Sequence, residues 1–219
     1  MAADQRALRI ATADDSHLDG MVAVHARAFP GEFLTLLGPA VLRAFYRFYI
    51  RQPQGIALVV VETGSGAVLG LVCGGEPTLR RRFGRRCAFR LVQGVVHGAL
   101  KHRHVRQRLV EHLQRALGGA LRRLRGRTGS ASSTAHPDLP LGRWSSLLSI
   151  CADPRQRGRG IGRMLMEGFR EESRRRGYEL MRLSVHNDNQ AAMHLYERCG
   201  WSIALATASG SYFTRATEP

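Results

Sequence analysis

The stretch DPRQRGRGIGRML, residues 153–165, puts four arginines and three glycines into thirteen residues. Positive charge and bare backbone together fit either a solvated basic turn or a cradle for an anion, and the flanks decide between them. Before it runs the apolar segment SLLSICAD (146–153), a buried strand. After it comes IGRMLMEGFREESRRRGY (161–178), in which Ile161, Leu165 and Phe169 share one face of a helix. Glu171–Arg175 and Glu172–Arg176 are i,i+4 pairs on that helix, and Gly177 ends it. A strand, a glycine turn and a helix in that order leave unpaired N–H groups at the positive end of a helix dipole. Glycines let a phosphate approach those groups, and arginines add charge-assisted hydrogen bonds. A pyrophosphate is the natural guest. The ending is not G-K-[ST], which excludes a Walker A loop, and GRGIGR lacks the glycine spacing of a dinucleotide-binding turn.

Working outward, ALRIAT (7–12) reads as a strand, followed by a helix capped at Asp14 or Asp15, with Leu18, Met21, Val22, His25 and Phe29 at helical spacing. Pro30 and Gly31 stop it. A second helix starts near Pro39, with Leu42, Phe45, Tyr46 and Tyr49 as its stripe. GIALVVVET (55–63) and AVLGLVCGGE (67–76) are strands joined by Gly64-Ser65-Gly66, a hairpin signal. Beyond the glycine turn, ELMRLSV (179–185) is a strand, NQAAMHLYERCG a helix, and WSIALA and GSYFTRA two closing strands. The order βααββ, then residues 78–143, then βαβαββ predicts one α/β domain over 1–219, with 78–143 as a helical and loop insertion between the third and fourth strands.

Two short patterns now carry a resemblance. RQRGRG, Arg155 to Gly160, fits the [QR]-x-x-G-x-[GA] signature of the GNAT superfamily of N-acyltransferases, and the overlapping RGRGIG fits it from Arg157 to Gly162. Thirty-odd residues on, LSVHNDNQAAMHLYERCGW resembles the family's second signature, with Asn189, Ala191, Leu195, Tyr196, Gly200 and Trp201 in register. The similarity covers the chain apart from about Arg80 to Arg143. It implies a mixed, mostly antiparallel sheet flanked by helices, in which two neighbouring strands splay apart to admit the pantetheine arm of acetyl-CoA.

By that resemblance, Ile150, Cys151 and Ala152 form the edge that pairs with the arm. The amides of Arg157, Gly158, Arg159, Gly160, Ile161 and Gly162 hold the pyrophosphate, and Asn189 contacts the arm. Tyr196 protonates the leaving thiolate, and a backbone N–H on the strand polarises the acetyl carbonyl. Each residue has a plainer role beside this one: Asn189 as a helix cap, Tyr196 as a packing tyrosine, and Cys151 as a small buried residue, since direct transfer needs no covalent cysteine. The base that deprotonates the acceptor is open among Glu76, Glu32, His186 and His136; Glu76, at the end of the third strand, leads them.

The formal net charge is +16, and residues 80–127 hold fourteen arginines, Lys101 and one acid, Glu111. The basicity therefore belongs to the insertion, whose first part, to about Leu124, reads as amphipathic helices and whose remainder reads as a polar loop. A cover over the acceptor site, a surface for an acidic partner, and attachment to an anionic membrane compete for its role. Sparse aromatics there, only Phe83 and Phe89, argue against recognition of nucleic acid by stacking. His97, His102, His104 and His112 share no metal-binding face, and the four cysteines contain no C-x-x-C pair, so no metal is expected. No run reaches the ~18 apolar residues of a membrane span, and no signal peptide is read at the N-terminus, which together make a cytoplasmic location the expectation.

The expected activity is acetyl transfer from acetyl-CoA to a primary amine of a small molecule, such as an amino sugar or another amine metabolite. The alternatives are acetylation of protein N-termini or lysines, a non-catalytic CoA-binding relative, and a basic nucleic-acid adaptor.

Overall fold

Gly55–Glu62 (β2) and Val68–Gly75 (β3) are buried along almost their whole length, which explains why both read as continuous apolar runs rather than alternating ones. They sit inside a sheet covered on both faces. The computed structural model describes residues 7–86 and 142–218. Within it, Leu8–Thr12 (β1), Trp144–Ala152 (β4), Leu180–His186 (β5), Ser202–Ala206 (β6) and Gly210–Ala216 (β7) complete a seven-stranded sheet in the order β1-β2-β3-β4-β5-β7-β6. Only β4 and β5 run parallel; every other pairing is antiparallel.

One face carries Leu18–Ala28 (α1), Phe33–Leu36 (α2), Pro39–Ile50 (α3) and Leu79–Arg86 (α4). Here Val59, Leu71, Cys73 and Cys151 of the sheet meet Met21, Phe45, Tyr46 and Phe83 of the helices. Phe83 packs edge-on against Phe45 and Phe48 at 5.3 and 5.5 Å, which ties α4 to α3. The other face carries Ile161–Arg175 (α5) and Gln190–Arg198 (α6). Its core joins Leu58, Val60, Leu147 and Phe213 to Ile161, Leu165, Phe169 and Tyr196.

The predicted strands and main helices are all present, with edges shifted by a residue or two. The ion pairs on α5 differ in part. Glu171 pairs with Arg174 at i+3 rather than with Arg175, which joins Arg176 in binding Glu172. Positions three and four apart share a helix face, and a forked carboxylate selects whichever guanidinium aligns with it. Of the predicted insertion, α4 is described and shows Arg80, Arg81, Arg82, Arg85 and Arg86 exposed. The longer basic helices to about Leu124, the polar loop up to residue 141, and His136 lie outside the described residues.

Candidate active site

Among the described residues the sheet opens between β4 and β5. β4 pairs with β5 only at Trp144–Leu180, Ser145–Met181 and Ser146–Arg182. Beyond those pairs β4 continues to Ala152 bonded to β3, while β5 continues to His186 bonded to β7. From Leu147 onward the two strands have no pairing with each other among the described residues, and a fork opens toward their carboxyl ends.

A bulge shapes the β4 arm of that fork. The register with β3 shifts where Cys73 faces Ser149 and Gly74 faces Leu147, so Leu148 is the extra residue. Leu148 and Ser149 therefore both turn toward α1 and α3: Leu148 packs on that core, and Ser149 Oγ lies 3.2 Å from the Tyr46 hydroxyl. Past the bulge, the Asp153 N–H donates to the Leu69 carbonyl at 2.8 Å. Alternation then aims the backbone of Cys151 at β3 and that of Ile150 and Ala152 at the fork. Of the three residues expected to line the cofactor edge, two present their N–H and C=O to the opening. Cys151 instead puts its side chain into the core, where burial pushes its thiol up to about 12.

The arginine-glycine turn follows directly. Asp153 is 2% exposed and caps a short 3-10 turn, Pro154–Gln156, by accepting from the Arg155 N–H at 3.0 Å. Its carboxylate also receives Arg155 at 2.9 Å and Arg27, from α1, at 2.9 Å. These hydrogen bonds, first of all that of the Arg155 side chain, hold the Asp153 carboxyl down at about 2. The folded value lies below the unfolded one, so the stability this group contributes is present above pH ~4 and is lost as pH falls toward 2. Asp153→Asn is expected to cost about 2 kcal/mol, since bonds to charged groups contribute ~1.5–3 kcal/mol. In urea titrations the wild type should lose its margin over the variant between pH 4 and pH 2.

Gly158 and Gly160 have φ of +78° and +75°, where a side chain is strained, and a Cβ at either would project into open space. Gly160 is the N-cap of α5, so the first amides of a fifteen-residue helix face that space. Arg157 and Arg163 are exposed beside it, while Arg159 bonds Gln156 at 2.7 Å and approaches Glu62 at 3.5 Å. Open backbone donors, two forced glycines and exposed guanidiniums suit a pyrophosphate.

On the other arm, Asn189 caps α6 by accepting from the Ala192 N–H at 3.2 Å. Tyr196, two residues from the end of α6, is 5% exposed and packs edge-on against Phe213 at 5.5 Å. Its hydroxyl bonds no described group and is not among the sealed polar atoms, so the ring is held while its tip stays accessible. Burial pushes the phenol up to about 12. Gly162 ties the two arms together, because a Cβ there would meet the Leu195 side chain at 3.0 Å.

The candidate bases among the described residues sit on separate elements, and of them His186 ends the β5 arm of the fork. Glu76 follows the Gly75–Ser146 pair, at the closed end of the fork, where it accepts from the Thr78 hydroxyl at 2.7 Å; the Tyr178 phenol is raised first by burial and then by the Glu76 charge. That is three to six residues short of Ser149–Ala152, about 10–20 Å along the strand. Glu32 is exposed at the start of α2, and His186, at the end of β5, is exposed with Nδ1 3.3 Å from the Ser209 carbonyl. Asp153 with Arg27, and the Ser149–Tyr46 contact, were not singled out from sequence. The only signals for them were polar residues sitting on otherwise apolar helix stripes and the Asp-Pro start of the turn. Among the described residues no cluster of three or more His, Cys, Asp or Glu could hold a metal, and no helix is long and apolar enough to cross a membrane.

Residues 125–201 match the model of the acetyltransferase (GNAT) family. Over 72 residues the chain is 38% identical to the ribosomal protein bS18-alanine N-acetyltransferase of Salmonella typhimurium, covering 33% of this chain and 47% of that one. Over 60 residues it is 40% identical to mycothiol acetyltransferase of Mycobacteroides abscessus, covering 27% of this chain and 20% of that one. The matches thus span about half the length of the first relative and a fifth of the second. The fold extends further. The coenzyme A complex of an N-acetyltransferase from Thermoplasma acidophilum superposes with a TM-score of 0.56 at 10% identity, over 96% of this chain and 99% of that one.

Proposed function

We propose that this chain, whose residues 125–201 match the GNAT family and whose fold is that of an N-acetyltransferase, transfers an acetyl group from acetyl-CoA to a primary amine. The observation that carries this reading is the fork between β4 and β5, with open glycine-loop amides at its mouth. Amides at Gly158 to Gly162 receive the pyrophosphate, and Arg157 and Arg163 screen its charge. Ile150 and Ala152 pair with the pantetheine amides as a missing strand would. Asn189 shapes the opposite wall as the cap of α6.

Chemistry follows from this placement. The amine nitrogen attacks the thioester carbon, the C–S bond breaks, and the sulfur leaves with the electron pair. Tyr196 is protonated throughout the neutral range and gives its proton to that sulfur, so no bare thiolate is expelled. The phenol is then restored from solvent. The amine loses its own proton to water or to a base.

Glu76 was the leading candidate for that base, and its place at the closed end argues for a lesser role. Glu76→Gln should leave kcat within about threefold of wild type and the acid limb of the pH profile unmoved. Loss of a working base would cost roughly 10²-fold or more.

For the acceptor we favour a small amine metabolite or amino sugar. A second reading, the α-amine of a protein, draws on the relative named for ribosomal protein bS18-alanine. Labelled acetyl-CoA offered with a panel of amines and with peptides bearing free N-termini separates the two. Transfer to peptides alone would overturn the small-molecule assignment, and transfer to neither would overturn the enzyme.

A further inference from the structure

Three polar side chains form a line from the bulge of β4 into the core between α1 and α3. Ser149 Oγ, partly exposed on the bulge, lies 3.2 Å from the Tyr46 hydroxyl, which lies 2.5 Å from His25 Nδ1. Tyr46 is 0% exposed and His25 6%. The far ring nitrogen, His25 Nε2, is buried with no hydrogen-bond partner. Such a line is an unusual expense inside an apolar cluster, because each buried polar group costs free energy unless it is bonded.

The unpartnered nitrogen sets the direction of the line. A buried N–H without an acceptor is rarer than a buried acceptor without a donor, so the proton belongs on Nδ1 and the lone pair on Nε2. Burial lowers His25 to about 4, which keeps the ring neutral and limits it to one N–H. His25 Nδ1–H then donates to the Tyr46 oxygen, and the Tyr46 O–H donates to Ser149 Oγ. The Ser149 O–H is left to donate outward.

Where it points follows from the bulge. Ser149 faces the α1 and α3 side of the sheet, whereas the glycine turn leads into α5 on the opposite side. A pantetheine arm lying along Ile150 and Ala152 would pass between them, with its thioester at the bulge.

We propose that Ser149 donates a hydrogen bond to the carbonyl oxygen of the bound thioester as negative charge builds there, and that Tyr46 and His25 are positioning residues that fix its hydroxyl in the donating sense. This rests on the acetyl-transfer reading above. No proton is consumed by the line: the bond strengthens as the carbonyl carbon is attacked and relaxes when the C–S bond breaks.

The test combines kinetics with a measurement independent of turnover. Ser149→Ala should lower kcat about tenfold with the KM for acetyl-CoA unchanged. That is below the 10²–10³ of a sole donor, because backbone N–H groups of β4 remain. Ser149→Thr, which keeps the hydroxyl, should recover most of the loss, and Tyr46→Phe should lower kcat by less than Ser149→Ala. Nitrogen-15 correlation spectra of the wild type should show His25 protonated on Nδ1. An Nε2–H tautomer overturns the outward direction. Unchanged kcat in Ser149→Ala, with an active wild type, overturns the donor alone. A wild type that neither binds acetyl-CoA nor transfers its acetyl group overturns the enzyme reading and the donor with it.

Discussion

Tyr196→Phe is expected to lower kcat roughly 10²-fold or more, the contribution of a positioned general acid, while leaving acetyl-CoA binding intact. The ring is what the fold uses. It packs on Phe213 and Trp201 inside the α5–α6 core, and phenylalanine keeps those contacts. The hydroxyl makes no bond to a described residue, so removing it leaves no buried partner stranded. Stability should therefore change little, and a large loss of turnover with an unchanged melting midpoint would isolate the proton donor. The pH profile adds a second reading. With its phenol pushed up to about 12, Tyr196 stays protonated well past pH 10, so kcat should show no alkaline limb from this group. Stability carries the opposite mark: the unfolded phenol ionises near pH 10 and the folded one does not, so this contribution is lost as pH rises from about 10 to 12. A kcat unchanged by the substitution would make Tyr196 a packing residue only.

Much of this was legible from the residues, for reasons that can be named. The hairpin of β2 and β3 was readable because Gly64-Ser65-Gly66 separates two apolar runs, and the glycine turn because it joins a buried strand to an amphipathic helix. Asn189 and Tyr196 fell into register through a family pattern, which is sequence information of another kind. The sheet order was not readable: β7 inserts between β5 and β6, and no local pattern states which strands become neighbours. The length of the β4–β5 pairing was equally hidden, because a fork is a property of two strands that are distant in sequence. Cys151 shows the limit at single-residue scale. It was grouped with Ile150 and Ala152 on the cofactor edge, yet strand alternation points its backbone at β3 and its side chain into the core. His25 and Tyr46 looked like members of apolar stripes, and only the fold brings them to Ser149. Arg27 reaches Asp153 from 126 residues away, which no spacing rule anticipates.

Saturating acetyl-CoA should raise the melting midpoint of the wild type by about 5–10 °C, and Gly160→Val should abolish the rise. The first figure follows from binding: ligand at ~100 times its Kd adds ~2.7 kcal/mol, and 1 kcal/mol moves the midpoint of a domain this size by ~2–4 °C. The second follows from two properties of Gly160. Its φ of +75° is a conformation that valine adopts only under strain, so the N-cap of α5 must rearrange. Its Cβ position is open, so the added side chain would stand where a pyrophosphate meets the helix amides. Strain lowers the midpoint of the free protein, whereas loss of the pyrophosphate site removes the ligand-dependent increment, and the two are read separately in one experiment. Arg157→Ala supplies the unstrained control: it keeps the backbone and should reduce the increment without abolishing it. A Gly160→Val protein that is less stable but still gains the full increment would move the cofactor off the glycine turn. A wild type with no increment would leave the fork and its open amides without the ligand that their geometry suits.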